Sequence, residues 1–189
     1  MISRSSSQMS VSRDSLLSPN SSSPSLPWGD IRLFAMDVDG VLTDGTIIVG
    51  SDGRESKQFS ILDGSGLVRL REAGIELAWI SGRVSNSTSI RAQELKIAHL
   101  IQGRSDKIVA LQELASGLRI PPEACCYMGD DEIDVPAICW AGIGVSVKGG
   151  MPSATHAARY IPMREPGRGA VREVCDLILA ARGVSASKS

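Results

Sequence analysis

The sequence predicts an α/β fold, a doubly wound parallel sheet, on three observations. Short, almost wholly apolar runs at residues 31–36, 75–81 and 125–129 read as strands buried on both faces. Helix-length segments separate these runs, the spacing of β-α-β units. The strands also end in polar groups, where a parallel sheet of this kind places its ligand site.

The elements follow in order. Residues 1–27 are Ser-rich with no apolar periodicity, which predicts a disordered tail, and 184–189 a second short one around a domain at 28–183. Residues 31–36 form the first strand, ending at Asp37-Val38-Asp39-Gly40. Residues 46–50 and 55–61 flank Ser51-Asp52-Gly53-Arg54, the chemistry of a β-hairpin turn. Leu67, Leu70 and Arg71 mark a helix that Gly74 stops. A strand at 75–81 and a helix at 84–95 come next, then a strand at 99–102 and a helix at 106–117. Pro121-Pro122 breaks the chain before the strand at 125–129. Residues 133–140 are helical, 144–147 a short strand, and 169–182 the closing helix.

Composition excludes several function classes. A net charge of −1 offers no basic stripe for nucleic acid, and 4% aromatics no stacking platform for single strands. No apolar run approaches the roughly 20 residues that cross a bilayer, so no membrane partner is expected. Cys125, Cys126, Cys139 and Cys175 form no C-x-x-C pair, and His99 and His156 lack ligands at zinc spacing. The cysteines read as small hydrophobes in a reduced, cytoplasmic compartment.

Four polar groups fall at the carboxyl ends of four successive strands: Asp37 with Asp39, Ser81-Gly82-Arg83, Lys107, and Gly129-Asp130-Asp131. Together they suit phosphoryl transfer. Asp37 can attack phosphorus to give an aspartyl-phosphate, and Asp39 can serve as acid and then base. Ser81 and Lys107 can hold the phosphoryl oxygens. A dianionic ester facing an anionic nucleophile needs a cation, and Asp37 with Asp130 offers hard oxygen ligands for Mg²⁺. Each piece has a plainer reading alone: a turn at Ser81-Gly82, a solvated Lys107, a helix cap at Gly129-Asp130-Asp131. Their succession at four strand ends favours the chemistry.

These motifs resemble those of the haloacid dehalogenase superfamily. The residues concerned are Asp37-Val38-Asp39-Gly40-Val41-Leu42-Thr43-Asp44, Ile80-Ser81-Gly82-Arg83, Lys107 and Gly129-Asp130-Asp131-Glu132-Ile133-Asp134, within a similarity spanning 31–183. Within it the chain looks most like the group of phosphatases acting on 3-deoxy-D-manno-octulosonate 8-phosphate, a step of lipopolysaccharide sugar synthesis. The Glu55-Ser56-Lys57-Gln58-Phe59 segment, Asp63-Gly64-Ser65-Gly66 and Gly167-Arg168-Gly169-Ala170-Val171-Arg172-Glu173-Val174 carry that finer likeness. The resemblance implies magnesium on Asp37, Asp39 (through its carbonyl) and Asp130. It implies substrate contacts at Asp39, Ser60, Asp63, Gly64, Arg83, Arg91 and Lys107. The chain departs from the group at Ser60, where Asn is usual, and at Leu62 and Val68, where Arg is usual.

Only about 40 residues separate Asp39 from Ser81, room for a hairpin flap and one helix but no large cap domain. Relatives close such a site by assembly, so the resemblance implies a homotetramer with the carboxy-terminal segment near a neighbour's site and Arg168 as a candidate contact. A solvated Arg168 in a Gly-rich turn is the plainer alternative. Other readings are a phosphatase for keto-deoxy-nononate 9-phosphate, a broad sugar phosphatase, and a non-enzymatic phospho-accepting receiver domain. Receivers keep an acidic pair at the first strand, whereas here Asp-x-Asp comes first and the pair follows the fourth. The nononate enzymes typically place an acidic residue where Arg83 stands.

Overall fold

The computed structural model describes residues 26–184. The segments expected to be disordered therefore fall almost wholly outside the described residues. In chain order the elements are β1 (Leu33–Met36), the hairpin strands β2 (Ile48–Val49) and β3 (Glu55–Ser56), α1 (Ile61–Glu72), β4 (Glu76–Ser81) and α2 (Asn86–Leu95). There follow β5 (His99–Gln102), α3 (Lys107–Leu118), β6 (Cys125–Met128), α4 (Val135–Trp140), β7 (Ile143–Val145), α5 (Pro152–Ala157) and α6 (Ala170–Ala181). Among the described residues no helix is long and apolar enough to cross a membrane.

The main sheet is parallel in the order β5-β4-β1-β6-β7. The chain winds outward from β1 through β4 to β5, then returns to start again at β6 on the other side. The strand order thus reverses at β1, where a crevice opens beyond the strand ends. The expected doubly wound sheet is present, and β2 and β3 form the small antiparallel flap.

Alternation within the strands explains their unbroken apolar character. Phe34, Met36, Leu77, Trp79, Cys126 and Met128 face one core with α1, α2 and α6. Leu33, Ala35, Ala78, Ile80, Cys125 and Tyr127 face the other with α3, α4 and α5. β1 and β6 are buried on both faces, so they carry no charged residue until they end. Cys125, Cys126 and Cys175 are buried, Cys139 is exposed, and all four are free thiols.

Two boundaries differ from expectation. The strand expected to run to residue 61 stops at Ser56, and α1 begins at Ile61 instead of near Leu67. Ser60 starts the helix: its hydroxyl accepts from the amides of Leu62 and Asp63. Gly64 and Gly66 weaken helix propensity, but they admit neighbours that a methyl group would displace, Arg91 at Gly64 and Arg172 with Cys175 at Gly66. α5 was not expected from the sequence.

Asp63 ties this helix to the last one. It is 1% exposed, and its two oxygens accept from the amides of Gly169 (3.2 Å) and Arg172 (2.8 Å) at the start of α6. Burial pushes its carboxyl up, and the Arg172 and Gly169 amides pull it back only in part. Asp63→Ala leaves both buried donors bare and should cost about 1–3 kcal/mol in a urea unfolding experiment. Asp63→Asn, which keeps one acceptor oxygen, should lose less.

Candidate active site

The crevice at the end of β1 is lined by Asp37, Asp39, Ser81, Gly82, Arg83, Lys107, Asp130, Asp131 and Ile133. The four strand-end groups picked out in the sequence therefore meet in one pocket. Asp37 continues β1 by one ladder bond, its amide donating to Met128 O at 2.9 Å, and the chain then turns. The carbonyl of Val38 accepts from the amides of Leu42 and Thr43 at 2.9 and 3.2 Å. Thr43 Oγ1 accepts from the amides of Gly40 and Gly45, fixing the loop from inside. Gly40 has φ +86°, and a side chain there would collide with the Asp130 carboxylate, so glycine lets the two loops approach.

Lys107 is the hub. Its side chain is 1% exposed, with Nζ 3.0 Å from Asp37 and 2.8 Å from Asp134. It opens α3 and lies buried between Asp37 and Asp134, so the solvated alternative does not hold. Burial pulls its amine down, but Asp37 and Asp134 together outweigh burial and leave it above its ordinary value.

Asp134 is fully buried and accepts from Lys107 Nζ, from Tyr127 Oη at 2.6 Å and from the amides of Asp130 and Asp131. Four donors occupy its oxygens. Its carboxylate also lies with those of Asp37 and Asp130 in a cluster whose oxygens fall within 4.8 Å of one another. With its lone pairs spent, Asp134 holds the loop and the lysine; Asp37 and Asp130 remain for a cation. The sequence motif contained Asp134, but four residues of spacing did not reveal this role.

The donor set fits a hard dication. Asp130 Oδ1 is buried and has no hydrogen-bond partner. Asp37 is pushed up to about 6, chiefly by burial, with Lys107 pulling down and Asp134 pushing up. Asp130 is pushed up to about 7 by burial and by the charges of Asp37 and Asp134. One ammonium does not balance three carboxylates, and oxygen ligands of this kind suit Mg²⁺.

Arg83 borders the pocket, half-exposed, with Nη2 2.6 Å from Glu55 Oε2 on the flap and Nε 4.0 Å from Asp39. Lys57, also from the flap, reaches Asp39; sequence reasoning assigned neither it nor Glu55 to the site. Their partners lie 18 and 28 residues away, a separation no local pattern spans.

Ser60, Asp63, Gly64 and Arg91 are not brought to the Asp37 pocket. They line a separate tight cleft with Leu42, Phe59, Trp79 and Leu95, where Phe59 stacks on Trp79 with ring centroids 6.2 Å apart. Arg91 donates to Ser60 O and pairs with Glu94. The three departures from the family pattern also lie outside the pocket. Ser60 caps α1 as an Asn would, Leu62 is half-exposed, and Val68 packs against the core. Arg168 is exposed, in a groove with Asp44, Gln58, Phe59 and Gly167.

A carboxyl whose folded value is raised stabilises the protein below its unfolded value and loses that contribution as pH rises through the folded one. For Asp37 and Asp130 the metal-free protein should lose stability from about pH 4 to about pH 7, as each ionises into the cluster. A dication competes with those protons. Mg²⁺ should therefore raise Tm more at about pH 8 than at about pH 5.5; an equal shift at both would contradict this electrostatic account.

Comparison with known proteins agrees with this geometry. Residues 77–169 match the model of the haloacid dehalogenase-like hydrolases. The 3-deoxy-D-manno-octulosonate 8-phosphate phosphatase KdsC of Yersinia pestis is 46% identical over 81% of this chain and 82% of its own. KdsC of Escherichia coli K12 is 44% identical over 82% of each. The crystal structure of the Moraxella catarrhalis 3-deoxy-D-manno-octulosonate 8-phosphate phosphatase, a complex with magnesium ion, phosphate ion and a KDO molecule, is 48% identical. It superposes with a TM-score of 0.82 over 83% of this chain and 90% of that one. The chain belongs to the haloacid dehalogenase-like hydrolases, in the family of the 3-deoxy-D-manno-octulosonate 8-phosphate phosphatases.

Proposed function

We propose that this chain is a Mg²⁺-dependent phosphatase that hydrolyses 3-deoxy-D-manno-octulosonate 8-phosphate to the free sugar acid and phosphate. The observation that carries the reading is the pocket itself: Asp37, held by Lys107 at the strand-order switch, beside an Asp130 oxygen with no partner. The relatives' shared activity names the ester.

Asp37 attacks phosphorus; its Oδ–P bond forms as the bond to the sugar oxygen breaks. Asp39 gives its proton to that oxygen, then takes one from the water that splits the aspartyl-phosphate. Ser81 and Lys107 hold phosphoryl oxygens, Lys107 from its place against Asp37. Magnesium, held by Asp37, the Asp39 carbonyl and Asp130, would supply charge neutralisation at the phosphoryl group. Arg83, half-exposed at the rim and paired with Glu55, takes an anionic group of the substrate in this reading. The Ser60, Asp63, Gly64 and Arg91 contacts belong to the family resemblance; in this chain those residues line the cleft beside Phe59 and Trp79.

Assembly and compartment follow the same line. The flap exposes Ile48 and Val49 on a sheet of two short strands, and Ile61, the first residue of α1, is 82% exposed. Apolar surface at an open sheet edge supports a homotetramer in which neighbours cover the flap. Four free thiols support a reducing, cytoplasmic setting.

A Mg²⁺-dependent phosphate-release assay tests the function. The octulosonate 8-phosphate should exceed keto-deoxy-nononate 9-phosphate and hexose phosphates in kcat/KM by at least about tenfold. Comparable turnover of all three would make this a broad sugar phosphatase. Asp37→Asn should lower kcat by more than about 10³-fold on every ester; substantial residual turnover would exclude the covalent route.

A further inference from the structure

The flap reaches the chemistry through one side chain. Lys57 follows β3, and its side chain is fully buried against Asp39. Nζ donates to Asp39 Oδ2 at 2.9 Å, while Oδ1, 2.7 Å from the ammonium, has no partner in hydrogen-bond geometry. Thr88 Oγ1 on α2 lies at 3.4 Å and Glu55 Oε1 at 3.6 Å. Glu55 is fixed in turn by Arg83 at 2.6 Å, by the Ser85 hydroxyl at 2.9 Å, and through its carbonyl by Ser87. Strands of two residues cannot hold a hairpin in place alone; this network docks the flap.

A fully buried lysine is rare and costly unless paired. Among the described residues the Asp39 carboxylate receives no other hydrogen bond, and Arg83 remains 4.0 Å away. Asp39 sits past the end of β1, where no ladder bond restrains its side chain. Its direction in the pocket therefore depends on the flap.

We propose that Lys57 is a positioning residue for Asp39: by donating to one carboxyl oxygen it turns the other toward the leaving oxygen of the ester. The inference rests on the phosphatase reading above. As the Asp37–phosphorus bond forms and the ester bond breaks, Asp39 passes its proton to the departing oxygen. Lys57 keeps all its protons and only fixes the orientation. The flap is then part of the catalytic geometry as well as a wall of the pocket.

Leaving-group dependence tests this. An alkoxide leaving group needs the proton from Asp39, whereas p-nitrophenolate departs without it. In Lys57→Met, kcat/KM, which reports the steps through departure of the leaving group and not the later hydrolysis of the aspartyl-phosphate, should fall about 10- to 100-fold on the octulosonate 8-phosphate and less than about threefold on p-nitrophenyl phosphate. The Mg²⁺-induced Tm shift should stay close to wild type, and Lys57→Arg should recover part of the alkyl-ester kcat/KM. Lys57→Gln, a donor of similar reach, runs alongside so that misfolding of one variant does not end the comparison. Equal losses on both esters, or no loss on either, would overturn the proposal. If wild-type enzyme cleaves hexose phosphates but not the octulosonate ester, the substrate reading fails, and a hexose phosphate serves as the alkyl ester in the same comparison.

Discussion

The site depends on one buried ammonium. Lys107 stands between Asp37 just past β1 and Asp134 after β6, out of water and within 3.0 Å of both. Its desolvation is offset only because both carboxylates are in place, and losing one partner of such a pair typically costs about 3–5 kcal/mol. That requirement fixes the register of three elements, the end of β1, the first turn of α3 and the loop after β6. Tyr127 adds its hydroxyl to Asp134 from inside the sheet, and Gly129 leaves room for that carboxylate to fold beneath its own loop. Burial and Asp134 push the Tyr127 phenol well up, so it remains a donor.

From this arrangement follows the demand for a cation. Asp130 and Asp37 carry more negative charge than Lys107 balances, and the strand-order reversal at β1 keeps that charge at the mouth of the crevice. The ends of the parallel strands bring Asp37, Ser81, Lys107 and Asp130 together, and the small flap holds the Asp39 side chain through Lys57. Glu55, Lys57 and Arg83 knit the hairpin to Asp39 and to the segment after β4. A capless enzyme in this family can thereby bring a side chain from outside the sheet to its acid/base group.

The sheet was legible because both of its faces are buried. Runs such as Leu33–Met36 admit no polar residue, and the first polar one, Asp37, marks the strand end. The site was legible for the same reason, since each motif begins where an apolar run stops. What escaped was set by tertiary contact. The first turns of α1 run through Asp63-Gly64-Ser65-Gly66, a poor helical sequence kept helical by the Ser60 cap and by close packing against Arg91 and Arg172. Asp63 looks like a binding residue in the one-dimensional pattern, yet both its oxygens are spent on the amides of α6. Lys57 looks like any hairpin lysine, and only the folded flap shows it buried against Asp39.

The central claim is that Asp37 becomes covalently phosphorylated, and acid-quenched peptide mapping by mass spectrometry tests it most directly. Enzyme mixed with Mg²⁺ and substrate and quenched within one turnover should carry one phosphoryl group, on the peptide containing Asp37. A phosphoryl group on the peptide bearing Asp130 and Asp131, or a burst of free phosphate with no labelled peptide, would contradict the account.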